Sequence, residues 1–211
     1  MVFPNRKNRN VTLSKISLSK GNHKLSKDIL IWNLPSGKTC PGSSKECLEY
    51  CYAKKAERQY PGARASRERN YQLSLEKDFV ESMIAHLSAR KESVCRIHES
   101  GDFYSKEYYE KWIAIARRLP NMTFYSYSKS FVIFNMFEDL PDNFLVLQSY
   151  GSKDDSKIDS IHSTARVIES ETDLLPGDAL CGYYKKGHGK CGEECRLCMI
   201  PGAHHIVFKK H

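Results

Sequence analysis

Cysteines carry the clearest chemical signal in this sequence. Three of the eight, Cys40, Cys47 and Cys51, fall within twelve residues at the spacing C-x6-C-x3-C. Four more lie near the other end, in the stretch CGYYKKGHGKCGEECRLC, and Cys95 stands apart from both groups. In a reducing compartment, clustered free thiols are more often metal ligands than halves of disulfides. The two groups therefore predict metal sites, whereas Cys95 has the pattern of a buried apolar residue.

The first group supplies three thiols, one fewer than a closed zinc site needs. No histidine lies between His23 and His86, so no nearby imidazole completes the set, and Cys95 falls in the middle of a predicted strand. Three thiolates either recruit a remote fourth ligand for zinc or hold an iron–sulfur cluster in which one iron lacks a protein ligand. The second alternative predicts an open coordination position where a small molecule binds.

The second group has four thiols in a glycine-rich, non-periodic stretch: Cys181, Cys191, Cys195 and Cys198. Four such ligands close a tetrahedral zinc site or hold every iron of a 4Fe-4S cluster. The dense C-x3-C-x2-C end differs from the two separated knuckles of a zinc ribbon. We expect a second cluster here, serving as an electron relay, with zinc as the alternative. Because four cysteines suffice, His188 is predicted to be a surface residue.

Between the cysteine groups, short apolar runs alternate with helical periodicity. Strands are predicted at 29–34, 94–98, 123–127, 144–148, 165–168 and 205–208. One helix is predicted at 65–90, where Leu75, Phe79, Met83 and Leu87 recur every four residues, and another begins after Ser105 and ends near Pro120. This alternation predicts an α/β fold, an incomplete (β/α) barrel of about six mostly parallel strands with a Cys-rich C-terminal metal-binding loop.

Polar residues follow the predicted strands, at the edge where parallel sheets bind ligands. The first cysteine group follows the first strand, and the sequences Ser100-Gly101-Asp102, Ser126 to Lys129 and Ser149 to Ser152 follow the next three. We therefore expect one shared, concave site. Ser149 is a candidate ligand contact within it.

Candidate acids and bases at these strand ends are His98, Tyr127 and Lys129, with Tyr125 as a further possibility. The structural alternatives are a hydrogen-bonded sheet residue for His98 and partly apolar packing for the tyrosines. The arginines just after the cysteine loop either bind a carboxylate or phosphate or form the solvated start of a helix: Arg64, Arg67 and Arg69.

Composition limits the class of protein. The chain has 211 residues, of which 40% are apolar, and this is typical of one folded domain rather than of disorder. No apolar run is long enough to span a membrane and no secretory signal is present, so a cytoplasmic location is expected. Residues 1–27 carry seven Lys or Arg and no acidic residue, within a formal net charge of +8. We expect a basic arm at 1–27 and one domain at 28–211, which includes the Cys-rich segment 178–203.

The cysteine loop resembles that of the radical S-adenosylmethionine superfamily, in which three cysteines follow the first strand of a βα array and an aromatic residue precedes the last one. Tyr50 directly precedes Cys51 in this sequence, at C-x6-C-x3-C rather than the usual C-x3-C-x2-C, and the resemblance makes Tyr50 a candidate cofactor contact. The resemblance implies a 4Fe-4S cluster whose open iron binds S-adenosylmethionine. Ser100, Gly101 and Asp102 stand where that superfamily receives the methionine amino group: Gly101 would allow close backbone approach, and Asp102 would offer an anion.

A second resemblance covers nearly the whole chain. The order GNHK, NLPSGKTCPGSSKECLEYCYA, RIHESGDFYS, YSYSKS and a late C-x9-C-x3-C-x2-C is similar to the phage-encoded "gene product eighty-eight" family. That resemblance implies a phage or prophage source, hence the host cytoplasm, and specifies no activity. Function must therefore be argued from the site.

Two classes of function follow. The first is an iron–sulfur protein resembling a minimal radical S-adenosylmethionine enzyme, with a redox partner that the sequence does not specify. The second is a non-enzymatic protein that uses the same thiolates as zinc or iron–sulfur staples and binds nucleic acid or a host protein. The basic arm would contact nucleic acid in that case, or be simply solvated. An electron carrier with two clusters is a third alternative.

Overall fold

The protein is built around an eight-stranded sheet. A computed structural model describes residues 16–134, 136–137, 139–159, 161–184 and 189–210. The strands are β1 (Leu18–Lys20), β2 (Ile29–Trp32), β3 (Val94–Ile97), β4 (Thr123–Ser128), β5 (Phe144–Ser149), β6 (Thr164–Ile168), β7 (Asp178–Leu180) and β8 (His205–Lys209). The helices are α1 (Lys45–Glu49), α2 (Tyr52–Gln59), α3 (Pro61–Leu75), α4 (Phe79–Ser88), α5 (Lys106–Arg118) and α6 (Phe131–Phe134).

The sheet is wound in one direction from β1 to β6, and the order reverses at the end, where β8 lies between β6 and β7. Its strand order is β1-β2-β3-β4-β5-β6-β8-β7, with β1 antiparallel to β2 and every other pairing parallel. Parallel strands that follow each other in one direction, joined by right-handed crossovers, receive their helices on the same face. The α/β class and the mostly parallel sheet are therefore confirmed.

The number of strands differs from the prediction of about six. The two additional strands, β1 and β7, have three residues each, too few to show a periodic pattern. Across the described ranges, these edge strands do not pair with each other, so the sheet is not closed. Curvature into an incomplete barrel stays a prediction.

One face of the sheet packs against α4 and α5. Phe79, Met83 and Leu87 of α4 are buried as their spacing predicted, and α5 contributes Tyr108 and Trp112. Alternate strand residues complete this core, among them Leu30, Trp32, Cys95, Ile97, Phe124 and Phe144. Cys95 is fully buried here, as predicted for the isolated cysteine.

The opposite face is covered by the C-terminal cysteine segment instead of helices. Its strand residues form a second cluster that includes Ile29, Ile31, Tyr125, Leu147, Ala165 and Ile206. Cys198 and Met199 pack against this cluster and are 7% and 6% exposed. From β2 to β6 the strands advance in one direction and leave this face without helices. The connection from β7 back to β8 runs in the opposite direction and carries the cysteine segment onto this face.

The helix predicted at 65–90 is two helices. Glu76, at the end of α3, is extended with φ −67° and ψ 150°, and α4 begins after Asp78. Leu75, predicted to share a face with Phe79, is instead 51% exposed. Because of the break, α3 buries Asn70 and Leu73 and α4 buries a separate apolar face. One straight helix would not bury both sets of residues.

The segment predicted as the end of the basic arm packs against the sheet. Leu18–Lys20 form the edge strand β1, and Leu25 and Ser26 are buried. Residues 1–15 and His188 lie outside the described residues. Within the described ranges, no helix combines the length and the apolar character needed to cross a membrane.

Candidate metal centre at the carboxyl edge of the sheet

The loop that carries Cys40, Cys47 and Cys51 lies across the carboxyl ends of β3, β4 and β5. The Gly42 carbonyl accepts hydrogen bonds from Ser152 Oγ (2.8 Å) and from the Lys153 N–H (3.0 Å). A Cβ on Gly42 would lie 1.9 Å from the Lys129 carbonyl oxygen, so only glycine allows this approach. The loop is therefore held by backbone contacts to two strand ends, as expected for a shared site.

Two short helices position the last two cysteines. Ser44 caps α1, and its Oγ accepts a hydrogen bond from the Cys47 N–H at 3.1 Å. Cys51 is the residue at the N-terminal cap of α2. All three cysteines are half-buried, and each interacts electrostatically with the other two. The loop thus brings its thiols within electrostatic range of one another and leaves them partly accessible.

The thiols of this loop are harder to ionise than free cysteine. Burial, followed by the nearby Asp102, raises the pKa of Cys40 to about 12. Burial also raises the pKa of Cys47, which the positive charge of Lys129 opposes. Without metal these two thiols are protonated at neutral pH, so metal binding would release protons.

Donor chemistry decides which group would fit this loop. Over the described ranges, no three His, Cys, Asp or Glu side chains lie close enough together to hold a single metal ion. A cubane cluster places each thiolate on a different iron, so its ligands need not converge on one ion. Either a cluster or a zinc ion at these three thiols therefore stays a prediction.

Asp102, predicted to offer an anion to a ligand, already has partners within the chain. Oδ1 accepts from Ser128 Oγ (2.6 Å) and from the Phe103 N–H (2.7 Å), and Oδ2 accepts from the Lys129 N–H (2.8 Å). Burial raises the pKa of Asp102, although these hydrogen bonds oppose the rise. The carboxyl group ties the end of β3 to the end of β4.

Ser100 and Gly101 also contact the protein's own chain, at the segment that follows β2. Ser100 Oγ donates to the Leu34 carbonyl at 2.9 Å. Gly101 has φ +86°, and a Cβ there would lie 2.6 Å from Leu34 Cβ and 2.7 Å from Thr39 Oγ1. The close approach predicted for Gly101 therefore occurs, but toward the cysteine loop. Cofactor binding by these residues stays a prediction.

Lys129 and Ser149 are brought together as predicted. Lys129 Nζ donates to Ser149 Oγ at 2.7 Å, and its charge acts on Cys47. Tyr50 lies at the end of α1 with 72% of its side chain exposed, and its predicted contact with a cofactor stays a prediction. Its neighbour Tyr52 instead donates to the Glu99 carbonyl.

His98 lies on the helix side of the sheet. It is 3% exposed, its ring packs against Phe103 and Tyr108, and Nε2 lies 2.9 Å from Tyr108 Oη. Its backbone is left-handed, with φ +67°, so its side chain leaves the alternation of β3. Burial lowers the pKa of His98 to about 3. This position fits the structural alternative, a hydrogen-bonded residue of the sheet, better than an acid or base at the cysteine loop.

Tyr127 faces the second cysteine group. Its ring packs edge-on against Phe208, and its hydroxyl lies close enough to Cys198 to lower the thiol pKa by hydrogen bonding. Burial raises the pKa of Tyr127 well above its ordinary value. The three predicted catalytic residues therefore lie in three places: His98 in the helix-side core, Lys129 at the first cysteine group and Tyr127 at the second.

The second cysteine group lies on the helix-free face. Cys191 is held to the chain near β2, because its N–H donates to the Lys24 carbonyl and its carbonyl accepts from Ser26, both at 2.9 Å. The Gly192 N–H donates to the Cys195 carbonyl at 2.9 Å. Burial raises the pKa of Cys191 to about 11 and that of Cys198 to about 12. The four thiols interact electrostatically with one another, but no three of them lie close enough together to hold a single metal ion, so a shared metal site stays a prediction.

A family model now adds an independent finding. The model described as Gene product 88 matches residues 12–205, nearly the whole chain. The chain belongs to the Gene product 88 family.

Curated relatives agree with this assignment. The chain is 28% identical over 109 residues to the Gene 88 protein of Mycobacterium phage L5, with 46% of each chain aligned. It is 27% identical over 109 residues to the Gene 88 protein of Mycobacterium phage D29, aligned over 46% of this chain and 45% of the relative. The chain therefore spans less than half the length of the relatives it matches. No solved structure shows a significant match.

Sequence reasoning missed two residues near this site, Asn33 and Arg96, and left the role of Arg67 open. Asn33 Oδ1 accepts from the Glu99 and Ser100 N–H groups, both at 2.8 Å, and so fixes the turn after β3. Arg67 is 8% exposed, and its NH1 forms an ion pair with Glu57 at 2.9 Å, so it binds a carboxylate of the chain itself. Arg64 and Arg69 are exposed, as in the solvated alternative. Of the two missed residues, only Arg96 was recognisable from the sequence, because a charged residue in the apolar strand β3 is unusual.

Proposed function

We propose that this protein is an iron–sulfur protein that resembles a minimal radical S-adenosylmethionine enzyme. Cys40, Cys47 and Cys51 would hold a 4Fe-4S cluster with one open iron, and the four C-terminal cysteines would hold a second metal group. The single observation that carries the proposal is the docking of a three-thiol loop across three strand ends. Among the described residues, no three His, Cys, Asp or Glu side chains lie close enough together to hold a single metal ion, whereas a cluster would bind the three thiols through separate irons.

The chain's own residues would perform three tasks at this centre. Lys129 would offset the negative charge of the thiolates, since it already acts on Cys47 and is oriented by Ser149. Asp102 would keep the ends of β3 and β4 together beneath the loop. When bound, the cluster would supply one electron to the sulfonium of S-adenosylmethionine. The consecutive parallel strands β2 to β6 support an incomplete barrel that would have this centre at its mouth.

The proposal includes a reducing location, the cytoplasm of the host cell, because free thiols persist there. Each of the eight cysteines is a free thiol in the described structure. A redox partner would deliver electrons to the second group, and the chemistry of the substrate is open.

Anaerobic metal analysis tests this proposal. Wild-type protein reconstituted with iron and sulfide is expected to show cluster absorption and an electron paramagnetic resonance signal that S-adenosylmethionine perturbs. The triple variant C40S/C47S/C51S is expected to lose that perturbation together with one cluster's iron. Cys95→Ala, in the core on the other face, is the matched control and should retain both. If the protein binds only zinc under these conditions, the proposed enzymatic activity is refuted.

A structural role for the metal is the second candidate, and the covering of the helix-free sheet face by the cysteine segment favours it. Here zinc or a cluster would staple a domain that binds nucleic acid or a host protein. Binding of a DNA duplex whose affinity falls steeply with salt, without any effect of S-adenosylmethionine on the cluster spectrum, would support this candidate.

A further inference from the structure

Helices α2 and α3 form an exposed surface beside the first cysteine loop. Cys51 is the N-terminal cap residue of α2, so this surface adjoins the loop directly. Arg67 of α3 joins the two helices, because its NH1 donates to the Ala53 carbonyl at 3.1 Å and forms an ion pair with Glu57 at 2.9 Å. The surface is therefore a fixed part of the fold.

This surface carries an excess of positive charge. Its two acidic residues, Glu57 and Glu68, are already paired with Arg67 and Lys38. Five cations are exposed on the same helices, and none of them forms an ion pair within the part of the chain that the structure describes: Lys54, Lys55, Arg58, Arg64 and Arg69. Such a concentration of uncompensated cations attracts polyanions.

Helical periodicity gathers the charges of α2 on its outer side. Ala53 is 3% exposed and marks the inner side of the helix. With about 3.6 residues per turn, Lys55 and Arg58 lie on the side opposite Ala53. Apart from Tyr52, the exposed residues of α2 are polar, whereas a helix that lies on a membrane carries large apolar residues.

Two exposed tyrosines accompany these cations. Tyr52 and Tyr60 are 61% and 57% exposed and lie at the two ends of α2, about 12 Å apart along the helix axis. The Tyr52 hydroxyl donates to the Glu99 carbonyl, so its ring is held in place despite its exposure. Tyr50 is not counted here, because α1 also carries the exposed Glu46 and Glu49.

Aromatic rings interleaved with cations match the chemistry of single-stranded nucleic acid. Unpaired bases stack on exposed rings, and phosphates contact the lysines and arginines between them. In a duplex the base faces are already stacked on one another, so the tyrosines would have no role. The two rings and the charges between them therefore favour a single strand.

We propose that α2 and α3 form a surface that binds single-stranded nucleic acid. Tyr52 and Tyr60 stack on bases, and Lys55 and Arg58 contact phosphates. This surface is distinct from the basic arm predicted at 1–27. The proposal goes beyond the proposed iron–sulfur chemistry and requires no metal, although a bound strand would pass beside the first cysteine loop.

Fluorescence anisotropy with a labelled oligothymidylate tests the charges. The full chain is used without added metal, so the result does not depend on whether a cluster forms. The affinity is expected to fall with salt, with a slope of log affinity against log salt of roughly −2 to −3 for three to five phosphate contacts. Lys55→Gln/Arg58→Gln should reduce the size of this slope by about 1.4.

A matched control removes the same net charge elsewhere. Arg117 and Arg118 are exposed and are paired with Asp139 and Glu81. Arg117→Gln/Arg118→Gln is expected to keep the wild-type affinity and slope. An equal loss in the control and in Lys55→Gln/Arg58→Gln would show that net charge alone is responsible, and this would overturn the proposal.

The tyrosines are tested by separating the ring from the hydroxyl. Tyr52→Leu/Tyr60→Leu is expected to weaken binding roughly 5- to 100-fold, because the stacking surface is lost. Tyr52→Phe/Tyr60→Phe should retain the affinity, although Tyr52 then loses its hydrogen bond to Glu99. The phenylalanine and charge variants keep the proposal testable if the leucine variant does not fold.

Other probes distinguish the possible partners. Oligouridylate is compared with oligothymidylate; binding of either supports the proposal, and the tighter one identifies the preferred sugar. Three results would overturn it: no salt-dependent binding of either strand, tighter binding of a duplex that the leucine variant leaves unchanged, or loss of binding only in Arg6→Gln/Lys7→Gln/Arg9→Gln. The last result would assign binding to the predicted basic arm.

Discussion

At the scale of single residues, the centre is held by polar side chains that bind the protein's own backbone. Asp102 accepts three hydrogen bonds, Asn33 accepts two, and Ser100 joins the turn after β3 to the segment after β2. Each of these groups is buried or half-buried, so the loss of one would leave donors unpaired in a low dielectric. The site therefore depends on residues that need not touch a ligand.

Asp102→Asn is expected to lower the free energy of unfolding by about 1–3 kcal/mol. The amide nitrogen would face either the Ser128 hydroxyl and Phe103 N–H or the Lys129 N–H, a donor against a donor. Urea denaturation measures the change. Asp142→Asn, at an exposed turn, is the control and should remain within about 0.5 kcal/mol of wild type. Full stability combined with lost cofactor binding would instead show that Asp102 contacts the ligand.

His98 predicts a dependence of stability on pH. Its pKa is about 3 in the folded protein, below the ordinary 6.5, because the neutral imidazole is buried. Between these values the unfolded chain binds a proton that the folded chain does not, so stability is complete above pH 6.5 and is lost as pH falls toward 3. One such proton costs at most about 1.4 kcal/mol per pH unit.

His98→Asn removes this pH-dependent contribution to the free energy of unfolding. Asparagine tolerates the left-handed backbone at this position. The stability advantage of wild type over the variant is expected to shrink as pH falls from 7.5 to 4.5, measured by chemical denaturation. A constant difference across this range would mean that His98 protonates in the folded state.

At the scale of elements, the cysteine loop depends on close contact between backbones. The loop crosses β4 and β5 where Gly42 meets Lys129 and Ser152, and the order of the strands in the sheet brings these ends side by side. The short helix α1 and the cap of α2 then set the positions of Cys47 and Cys51. Side chains on the loop add little to this docking.

Gly42→Ala is expected to destabilise the protein by roughly 1–3 kcal/mol, because the new methyl would overlap the Lys129 carbonyl. Iron bound after reconstitution should fall as well, since the loop could no longer seat its thiols. Gly62→Ala, on α3 with no atom within 4 Å of the new Cβ, is the matched control and should be neutral or stabilising. Equal stabilities for the two variants would contradict the docking described here.

At the scale of the whole molecule, the sheet separates two environments. Helices cover one face with a large aromatic core, and a cysteine segment with little regular structure covers the other. A layer with so few backbone hydrogen bonds of its own depends on what it binds, so metal and stability should be linked.

Metal removal is therefore expected to lower the melting temperature and to speed amide hydrogen exchange in residues 189–203 more than in α4 and α5. A metal present at about 1,000 times its dissociation constant would contribute about 4 kcal/mol. Calorimetry and exchange mass spectrometry with and without chelator measure both effects. Exchange that rises equally in the helices would show that the segment is not a separate layer.

The sequence by itself determined the elements and the chemistry available to them. Cysteine spacing identified both thiol groups, short apolar runs located six of the eight strands, and the order of polar strand ends predicted one shared edge. These features depend on neighbours in the chain, so they can be read without coordinates. The Gly101 turn was likewise recognisable, because close approach needs a residue without a side chain.

Tertiary structure decided which face and which partner each side chain received. Arg96 and His98 are two residues apart and would share a face in a regular strand, yet the left-handed backbone of His98 turns it into the helix-side core while Arg96 faces the cysteines. Two of the three partners of Asp102 come from the end of β4, and the layer that packs on Tyr125 comes from the C-terminal part of the chain. Such contacts join segments that are distant in sequence. Local sequence patterns do not specify which distant segment packs against a given side chain.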